Sequence, residues 1–380
     1  MAKKILVVDD EEGIRQTLSF VLEDEGYEAV TASSGSEALT NLAEDSFDVV
    51  ITDLMMPAPD GMEILRKVKA DYPGTVVVMI TGQGSEEKAV EAMRLGADDY
   101  FPKPFNPEKI DEMLVRLEKA IELERLKAEN LLFHQHLEME LDIARKIQQI
   151  LLPRQIPSIA SVDMGTSSQS AKQVGGDYHD LIRLPSGDLG IAIGDVSGKG
   201  MPAALLMANA QASLRRYSES TYSPGEIIYR INNSICPICQ YIEEHRFITL
   251  FYGVLNPETK MLTYSNAGHS YPIIFRANSG ACEELESTGL PCGIMEDASY
   301  DEAQVELGSG DIALLYTDGI TEAMNSDGEM FGAERLKDVV LGNLQLDSSG
   351  LIASVHNELV KFVGDAPQYD DLTLMVIKVK

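Results

Sequence analysis

Acidic residues at the ends of apolar runs are the first feature of this sequence that could support chemistry. In residues 1–105, apolar runs such as KILVVDD, FDVVITD and TVVVMITG alternate with amphipathic stretches of helical spacing. This alternation predicts a doubly wound parallel α/β sheet, in which ligands bind at the carboxyl ends of the strands. The side chains that we expect at this edge are Asp9, Asp10, Asp53, Thr81 and Lys103.

This set of side chains is chemically coherent. Carboxylates from two strands offer the hard oxygen ligands that suit Mg²⁺, an ion that often works beside a phosphoryl group. An aspartate can also act as a nucleophile and become an aspartyl phosphate, whose charge a metal ion and a lysine would neutralise. Any one strand-end aspartate could be a simple turn former, but turn formation does not account for the whole set.

A second group of aspartates includes Asp195, which ends the apolar run of IAIGDVSGKGMPAALLMA. Burying a lone carboxylate there is costly unless a cation meets it. The alternative is a phosphate-binding P-loop, which needs four residues between its first glycine and its Gly-Lys, followed by serine or threonine. Only three residues separate Gly194 from Gly198, and Gly200 follows Lys199, so the spacing excludes a P-loop.

Three further aspartates lie at a strand end or beginning beside small or turn-forming residues, namely Asp177, Asp318 and Asp370. Each alone would be an ordinary turn acid. Together with Asp195, they could hold two hard divalent ions a few ångströms apart and make a bridging water nucleophilic at neutral pH. The chain therefore carries two groups of acids, and each group predicts a metal site.

Composition limits the scaffold that can position these groups. At 380 residues, the chain is long enough for two or three domains. The formal net charge of -30 argues against a nucleic-acid-binding surface, which would need clustered Lys and Arg. No apolar run approaches the length of a membrane span, and MAKKILVVDD lacks the apolar core and cleavage site of a signal peptide. Four cysteines are too few for a disulfide scaffold, which predicts a cytoplasmic location, and we expect the isolated CPIC pair, Cys236 and Cys239, to be buried.

Residues 106–153 predict a long helix, or two helices in register, because they lack glycine and have prolines only at the edges. Apolar residues step by four, three and four, as in a coiled-coil seam, which indicates a homodimer through this helix. These residues are Ile110, Leu114, Leu117, Ile121, Leu137, Leu141 and Ala144. The register slips near Glu124 and Asn130, so a helix packed on its own domain is the alternative. His134 and His136 face different sides of the helix and are poor joint metal ligands.

Beyond Pro153, the sequence pattern becomes antiparallel in character. Strand-like runs flank the turns PSGD and NPETK, and long helical patterns lie between and after these hairpins. Hairpins with inserted helices predict an α+β domain in which an antiparallel β-sandwich is flanked by helices.

The first segment resembles the receiver domain of two-component response regulators in VVDD, ITDLMMP, MITG and DDYFPKPF. This resemblance implies that Asp53 accepts a phosphoryl group from a sensor histidine kinase and that Lys103 binds that group. Thr81 and Tyr100 would be the switch pair. For Mg²⁺, the resemblance implies these ligands: the side chains of Asp10 and Asp53, the carbonyl of Met55 and, in support, Asp9.

Residues 155–380 resemble the metal-dependent (PPM) serine/threonine phosphatases, especially the bacterial branch that reverses phosphorylation of anti-sigma-factor antagonists. The matching motifs are GGDYHD, GDVSGKGMPAAL, NAGHSYP, YTDGITEA and DDLTLMV. The resemblance implies two Mn²⁺ or Mg²⁺ ions with Asp195 bridging them. The other implied ligands are Asp177 and the Val196 carbonyl for one ion, and Asp318 and Asp370 for the second ion.

Some positions depart from that family's pattern. Asp371 stands where other members often have asparagine, and Ser197 stands where some eukaryotic relatives have a histidine. The sequence also lacks an arginine that matches the upstream phosphate-binding arginine of those relatives. The general acid and the phosphate clamp are therefore unassigned. His269 and Lys172 are candidates, although a structural role is favoured for His269.

Together these features predict a receiver domain at 1–120, a helical linker at 121–152 and a phosphatase domain at 153–380. The predicted function is a response regulator whose phosphorylation at Asp53 controls dephosphorylation of a phosphoserine or phosphothreonine protein, one similar to an anti-sigma-factor antagonist. One alternative is an inactive, phosphatase-like adaptor that binds a sigma-factor regulator. The other is a phosphotransfer relay in which only the receiver is active. Retention of all four acids argues against both alternatives.

Overall fold

The computed structural model divides the chain into two units, residues 1–138 and 139–380. Within these units, the structure describes residues 2–82, 86–153, 156–220, 222–241 and 246–380.

The apolar runs of the first unit form the parallel sheet that the sequence predicts. Its elements are β1 (Lys4–Val8), α1 (Glu12–Asp24), β2 (Glu28–Ala32), α2 (Gly35–Glu44), β3 (Val49–Asp53), α3 (Gly61–Asp71), β4 (Val76–Thr81), α4 (Glu86–Arg94), β5 (Asp99–Pro102) and α5 (Pro107–Leu151). The strand order is β2-β1-β3-β4-β5. Every residue of β3 and β4 is buried, because apolar clusters cover both faces of the sheet. The carboxyl ends of β1 and β3 therefore lie side by side.

The start of α3 positions the turn that follows Asp53. Asp60 and Glu63 form a capping box, in which each carboxylate accepts a backbone N–H of the other residue at 2.9 Å. Gly61 follows, and a Cβ at this position would collide with the Asp53 carbonyl. Glycine therefore allows α3 to begin directly against the end of β3.

α5 is one continuous helix of 45 residues, which confirms the long helix predicted from the sequence. Leu117 and Ile121 belong to the apolar core under the parallel sheet, and Leu114 packs against that core. This part of the predicted seam packs on its own unit, because the sheet needs an apolar cover there. The later seam residue Leu137 is exposed.

The second unit is an antiparallel β-sandwich. Its elements are β6 (Val162–Gln169), β7 (Tyr178–Arg183), β8 (Leu189–Val196), α6 (Met201–Ser218), α7 (Pro224–Tyr241), β9 (Ile248–Leu255), β10 (Met261–Ala267), β11 (Ile273–Phe275), β12 (Cys282–Glu284), β13 (Ala303–Glu306), β14 (Ile312–Tyr316), α8 (Asp318–Thr321), α9 (Ala333–Leu341), α10 (Ser348–Val363) and β15 (Leu372–Val379). The strand orders of the two sheets are β13-β10-β9-β8-β7 and β12-β11-β14-β15-β6. This architecture confirms the predicted α+β sandwich.

Successive side chains of a strand point to opposite faces of its sheet, and this alternation separates the apolar clusters of the unit. Ile191 and Ile193 of β8 point into the cluster between the two sheets, whereas Ala192 points into the cluster under α6 and α7. A third cluster joins the other sheet to α9 and α10. Helices therefore cover both outer faces of the sandwich.

The CPIC motif lies in α7, where Cys236 and Cys239 are both buried. Burial raises the pKa of the Cys239 thiol to about 11, which favours the unreactive protonated form. Among the described residues, no helix combines the length and apolar composition needed to cross a membrane.

An ion pair between a buried carboxylate and a half-exposed guanidinium fastens α6 to β7. The Asp180 side chain is fully buried and accepts hydrogen bonds from Nε of Arg215 at 2.7 Å and from the Tyr178 hydroxyl at 3.0 Å. Arg215 Nη2 also donates to the second carboxylate oxygen at 3.2 Å. Since a buried carboxylate without its cation is costly, this contact is important to the stability of the unit.

We predict that Arg215→Met lowers the free energy of unfolding by about 2–3 kcal/mol, because it leaves the Asp180 charge buried without its cation. Urea denaturation of the full chain, followed by circular dichroism, measures the change. Lys361→Met is the matched control, since it breaks an exposed pair with Glu358, and it should cost less than about 0.5 kcal/mol. Equal unfolding midpoints for both variants would contradict the prediction.

Candidate functional site

The carboxyl edge of the parallel sheet gathers three aspartates. Asp9 follows β1, Asp53 ends β3, and one carboxylate oxygen each from Asp9, Asp10 and Asp53 lies within 4.8 Å of the others. Asp9 and Asp53 are buried, and Asp10 is exposed. The backbone N–H of Glu11 donates to Asp9 at 2.8 Å, and that of Met55 donates to Asp53 at 3.1 Å. These hard oxygens, open to solvent on one side, fit Mg²⁺.

Lys103 lies against these acids, as its position after β5 suggested. Its Nζ is 2.8 Å from an oxygen of Asp9, 2.8 Å from an oxygen of Asp53 and 3.1 Å from Glu11. Burial lowers the pKa of Lys103, but its hydrogen bonds to Asp53 and Asp9 outweigh burial and raise the pKa overall. Burial raises the pKa of Asp9. One ammonium thus faces several carboxylates, so the cluster still favours an added cation.

The structure also places the other predicted receiver residues. Thr81 ends β4, the strand next to β3, and is buried; its carbonyl accepts the backbone N–H of Lys103 at 2.7 Å. Tyr100 lies on β5 and is 42% exposed. The Met55 side chain is exposed, and its sulfur is 3.2 Å from Nζ of Lys88. Thr81 therefore shares the edge of Asp53, whereas Tyr100 presents its ring to solvent.

Both sheets of the second unit contribute acids to another site. Asp195 is the next-to-last residue of β8, and Asp177 lies just before β7 in the same sheet. Asp318 opens α8 directly after β14, and Asp370 lies just before β15, which pairs with β14. The sandwich therefore brings together four acids that are far apart in the sequence.

Burial and the charges of neighbouring acids raise the pKa of Asp177, Asp195 and Asp318. Burial, followed by the charge of Asp195, raises the pKa of Asp177 well above its usual range. Burial, followed by the charges of Asp318 and Asp370, raises the pKa of Asp195 to about 7. Burial and the charge of Asp370 also raise the pKa of Asp318. Buried and partly buried carboxylates that repel one another are a donor set that fits hard divalent cations, because bound cations would relieve the repulsion.

A glycine allows the loop before Asp177 to approach β8. A Cβ on Gly176 would lie 3.0 Å from the Val196 carbonyl oxygen and 3.4 Å from an Asp195 carboxylate oxygen. The Val196 carbonyl therefore lies beside the acid cluster, as the sequence-based ligand set requires. A larger residue at position 176 would crowd these oxygens.

Asp371, whose role the sequence left undecided, ties β15 to the loop that carries Asp177. Its carboxylate accepts the backbone N–H of Ala171 at 2.8 Å and that of Gly176 at 2.7 Å. Thr317 acts similarly, because its hydroxyl donates to Asp177 at 2.8 Å and accepts the backbone N–H of Thr373 at 3.0 Å. Sequence reasoning missed Thr317, although it directly precedes Asp318 in YTDGITEA.

The candidate basic residues differ in their positions. Lys172 is exposed. Lys199, which sequence reasoning did not single out, places Nζ 3.1 Å from an Asp370 oxygen and also donates to the Tyr369 carbonyl. It lies between Gly198 and Gly200, both with positive φ, and a basic residue in such a turn after Asp195 was the signal that could have found it.

His269 is fully enclosed behind the acid cluster. Its Nδ1 is 2.9 Å from the Thr249 hydroxyl, which is 3.4 Å from the Asp195 carbonyl oxygen. Burial lowers the pKa of His269 to about 4, so the ring is neutral near pH 7. A neutral, buried ring is a poor general acid, and these contacts support a structural role.

Ser197 and Arg246 hold the turn after Asp195. The Ser197 hydroxyl accepts the backbone N–H of Phe247 at 2.8 Å, and Arg246 donates to the Ser197 carbonyl at 2.9 Å. A Cβ on Gly198 would collide with the Arg246 guanidinium. These contacts fix the path of the chain from β8 into α6.

Comparison with known families agrees with this arrangement. A family model described as stage II sporulation protein E (SpoIIE) matches residues 185–380, and one described as response regulator receiver domain matches residues 5–115. The phosphoserine phosphatase RsbU of Bacillus subtilis is 30% identical over 246 residues, or 65% of this chain and 72% of that protein. Protein IcfG of Synechocystis sp. is 29% identical over 264 residues, or 63% of this chain and 41% of that protein.

Solved structures show the same fold in the second unit. The SiaA-PP2C domain of Pseudomonas aeruginosa superimposes with a TM-score of 0.58 at 20% identity, covering 65% of this chain and 98% of that chain. The RsbU and RsbW domains of Rv1364c from Mycobacterium tuberculosis give a TM-score of 0.50 at 22% identity, covering 60% and 63%. Likeness at these identities concerns the fold alone. The family matches and the relative RsbU show that the chain belongs to the SpoIIE family of PPM-type phosphatases and carries a response regulator receiver domain.

Proposed function

We propose that this chain is a response regulator in which phosphorylation of Asp53 by a sensor histidine kinase controls a metal-dependent protein serine/threonine phosphatase. Its substrate is a phosphoserine or phosphothreonine protein similar to an anti-sigma-factor antagonist, and it acts in the cytoplasm. The likeness to the phosphoserine phosphatase RsbU supports the substrate class.

The observation that carries this proposal is the meeting of four carboxylates from both sheets, of which Asp177 is buried and the other three are partly buried. An inactive adaptor has no use for such a cluster, because the burial and mutual repulsion that raise the pKa of Asp195 to about 7 destabilise the folded unit unless cations are present. The cost of gathering these acids supports a metal-dependent enzyme over an adaptor that needs no cation.

Two Mn²⁺ or Mg²⁺ ions suit the oxygens of this cluster. In the proposal, Asp177 and the Val196 carbonyl would hold one ion, Asp318 and Asp370 would hold the second, and Asp195 would contribute to both. Such ions, when bound, lower the pKa of a coordinated water so that it can attack phosphorus at neutral pH.

The residues around the ligands keep them in place. Asp371 ties β15 to the Asp177 loop through two backbone N–H groups, and Thr317 holds one carboxylate oxygen of Asp177 at 2.8 Å. A carboxylate held in this way cannot rotate freely, so the ligands are arranged before any cation binds.

In the receiver, Asp53 accepts the phosphoryl group. Lys103, already 2.8 Å from an Asp53 oxygen, neutralises the added negative charge, and Thr81 and Tyr100 form the switch pair. Mg²⁺, when bound, supplies the remaining positive charge for phosphoryl transfer. Its proposed ligands are Asp9, Asp10, Asp53 and the Met55 carbonyl.

The proposed domains are a receiver at 1–120, a linker at 121–152 and a phosphatase at 153–380. The linker would join two copies of the chain into a homodimer. It carries large apolar side chains that are more than half exposed, which a second helix could cover. These are Leu123, Leu131, Leu132, Phe133, Met139, Ile143, Ile147 and Ile150.

We predict that Asp195→Asn abolishes phosphate release from a phosphoserine protein and from p-nitrophenyl phosphate in the presence of Mn²⁺. The substitution removes the charge that both ions would share, and activity should fall by about a hundredfold or more. The control is Asp327→Asn, at an exposed turn, which should retain wild-type rates. EDTA should silence the wild-type chain, and Mn²⁺ should restore it; full activity in Asp195→Asn would disprove the two-metal site.

For the receiver, we predict that acetyl phosphate with Mg²⁺ labels the chain with an acyl phosphate that hydroxylamine removes. Asp53→Asn should lose the label because the nucleophilic carboxylate is gone. Asp71→Asn, at an exposed position on α3, should keep it. Phosphate incorporation measured by mass spectrometry distinguishes the variants, and label that persists in Asp53→Asn would show that the phosphoacceptor is another residue.

We also predict that coupling between Asp53 and phosphate release depends on the rotational phase of α5. Two alanines inserted after Leu126 turn the following helix by about 200 degrees, whereas a seven-residue insertion nearly restores the phase. The first insertion should abolish the effect of acetyl phosphate on the rate, and the second should preserve most of it. Equal regulation in the two insertion variants would instead indicate a flexible tether.

A further inference from the structure

An open apolar groove lies beside Asp370 in the second unit. Its volume is about 480 Å³, and it lies between α8, α10 and the loop that precedes β15. Its apolar lining includes Met324, Val360, Val363, Pro367, Tyr369 and Leu372. A concave apolar site with a few polar groups at one end is typical of ligand-binding sites.

Two apolar side chains that line the groove are exposed to solvent instead of being packed in the core. Val360 on α10 is 68% exposed and Tyr369 is 63% exposed, whereas Leu359 on the same helix is buried in the core. Large apolar side chains exposed within one concavity are expected where another molecule covers them. The groove therefore points to a binding partner that has apolar side chains.

The groove is continuous with the proposed phosphatase site. Lys199, Gly319 and Asp370 line its polar end, and Asp370 is one of the proposed metal ligands. Because the groove and the acid cluster share Asp370, a substrate whose phosphate lies at the acid cluster can place its neighbouring residues close to this end. Since an extended chain advances about 3.3 Å per residue, side chains within about four residues of the phosphoserine can reach the groove.

The charges at the groove disfavour an acidic segment. Glu322 lines the groove and is exposed, whereas the carboxylate of Asp370 is paired with Lys199 at 3.1 Å. A carboxylate in the neighbouring substrate segment would meet the like charge of Glu322, whereas an apolar side chain would bury the exposed faces of Val360 and Tyr369. The apolar lining and the acidic residue at the rim therefore both favour an apolar substrate segment over an acidic one.

We propose that this groove binds an apolar side chain located within about four residues of the phosphoserine in the protein substrate. This proposal rests on the proposed phosphatase function and adds a sequence preference to it.

Synthetic phosphoserine peptides test the proposal on the full chain. In a glycine-serine background, leucine or glutamate replaces one glycine at each position from four before to four after the phosphoserine. With Mn²⁺ present, leucine in at least one position should raise kcat/KM by about tenfold or more, because its side chain leaves water. Glutamate at the same position should lower kcat/KM.

The leucine-to-glycine ratio of kcat/KM is then measured for two groove variants and one control variant. Val360→Glu and Tyr369→Ser should reduce this ratio to near one; both positions are exposed, so the fold should tolerate the changes. Ile294→Glu, an exposed apolar position outside the groove, should keep the wild-type ratio. A wild-type ratio near one at every position, or a ratio that survives both groove variants, overturns the proposal.

A separate measurement distinguishes failure of the groove from failure of the phosphatase. The dissociation constants of the unphosphorylated leucine and glycine peptides, measured by titration calorimetry, do not depend on catalysis. If p-nitrophenyl phosphate and all peptides stay intact but the leucine peptide binds more tightly through Val360, the groove stands and the phosphatase proposal fails. If p-nitrophenyl phosphate is hydrolysed but the peptides show no leucine preference, the phosphatase proposal stands and the groove proposal fails. A change in sedimentation coefficient on Val360→Glu would assign the groove to a second copy of the chain and overturn the proposal.

Discussion

Repulsion between buried or partly buried carboxylates is the interaction that shapes both candidate sites of this chain. Folding places Asp9 and Asp53 at one sheet edge, and it places Asp177 and Asp195 at another, where burial raises the pKa of Asp9, Asp177 and Asp195. Isolated buried charges would oppose folding. Each site must therefore contain groups that offset the repulsion. The two sites differ in which groups do so.

At the parallel sheet, one side chain supplies most of the compensation. Lys103 bridges oxygens of Asp9 and Asp53 at 2.8 Å each, and backbone N–H groups hold the remaining oxygens. Any phosphoryl group added to Asp53 enters contacts that Lys103 already makes. A change of charge at Asp53 can therefore alter the contacts of neighbouring residues on β4 and β5. Such a change of contacts is the physical requirement for a switch.

At the sandwich, compensation is distributed among several groups. Asp371 accepts backbone N–H groups from Ala171 and Gly176, Thr317 binds Asp177, and Lys199 lies 3.1 Å from Asp370. These contacts cross between the two sheets, so the packed apolar layer between the sheets sets their geometry. The acids are thus held on a rigid platform. The neighbouring groove is less enclosed than the acid cluster, because Val360 in its lining is exposed to solvent.

The sequence by itself determined the parallel sheet, the long helix, the sandwich and the four acids of the second unit, because these follow from local patterns of apolar residues and turns. Tertiary structure alone decided which contacts hold the acids in place. Asp371 and Ala171 are 200 positions apart, and only the pairing of β15 with β6 brings them together. Likewise, Leu117 carries a coiled-coil spacing but packs under the receiver sheet, because periodicity shows which helix face is apolar and not what covers it.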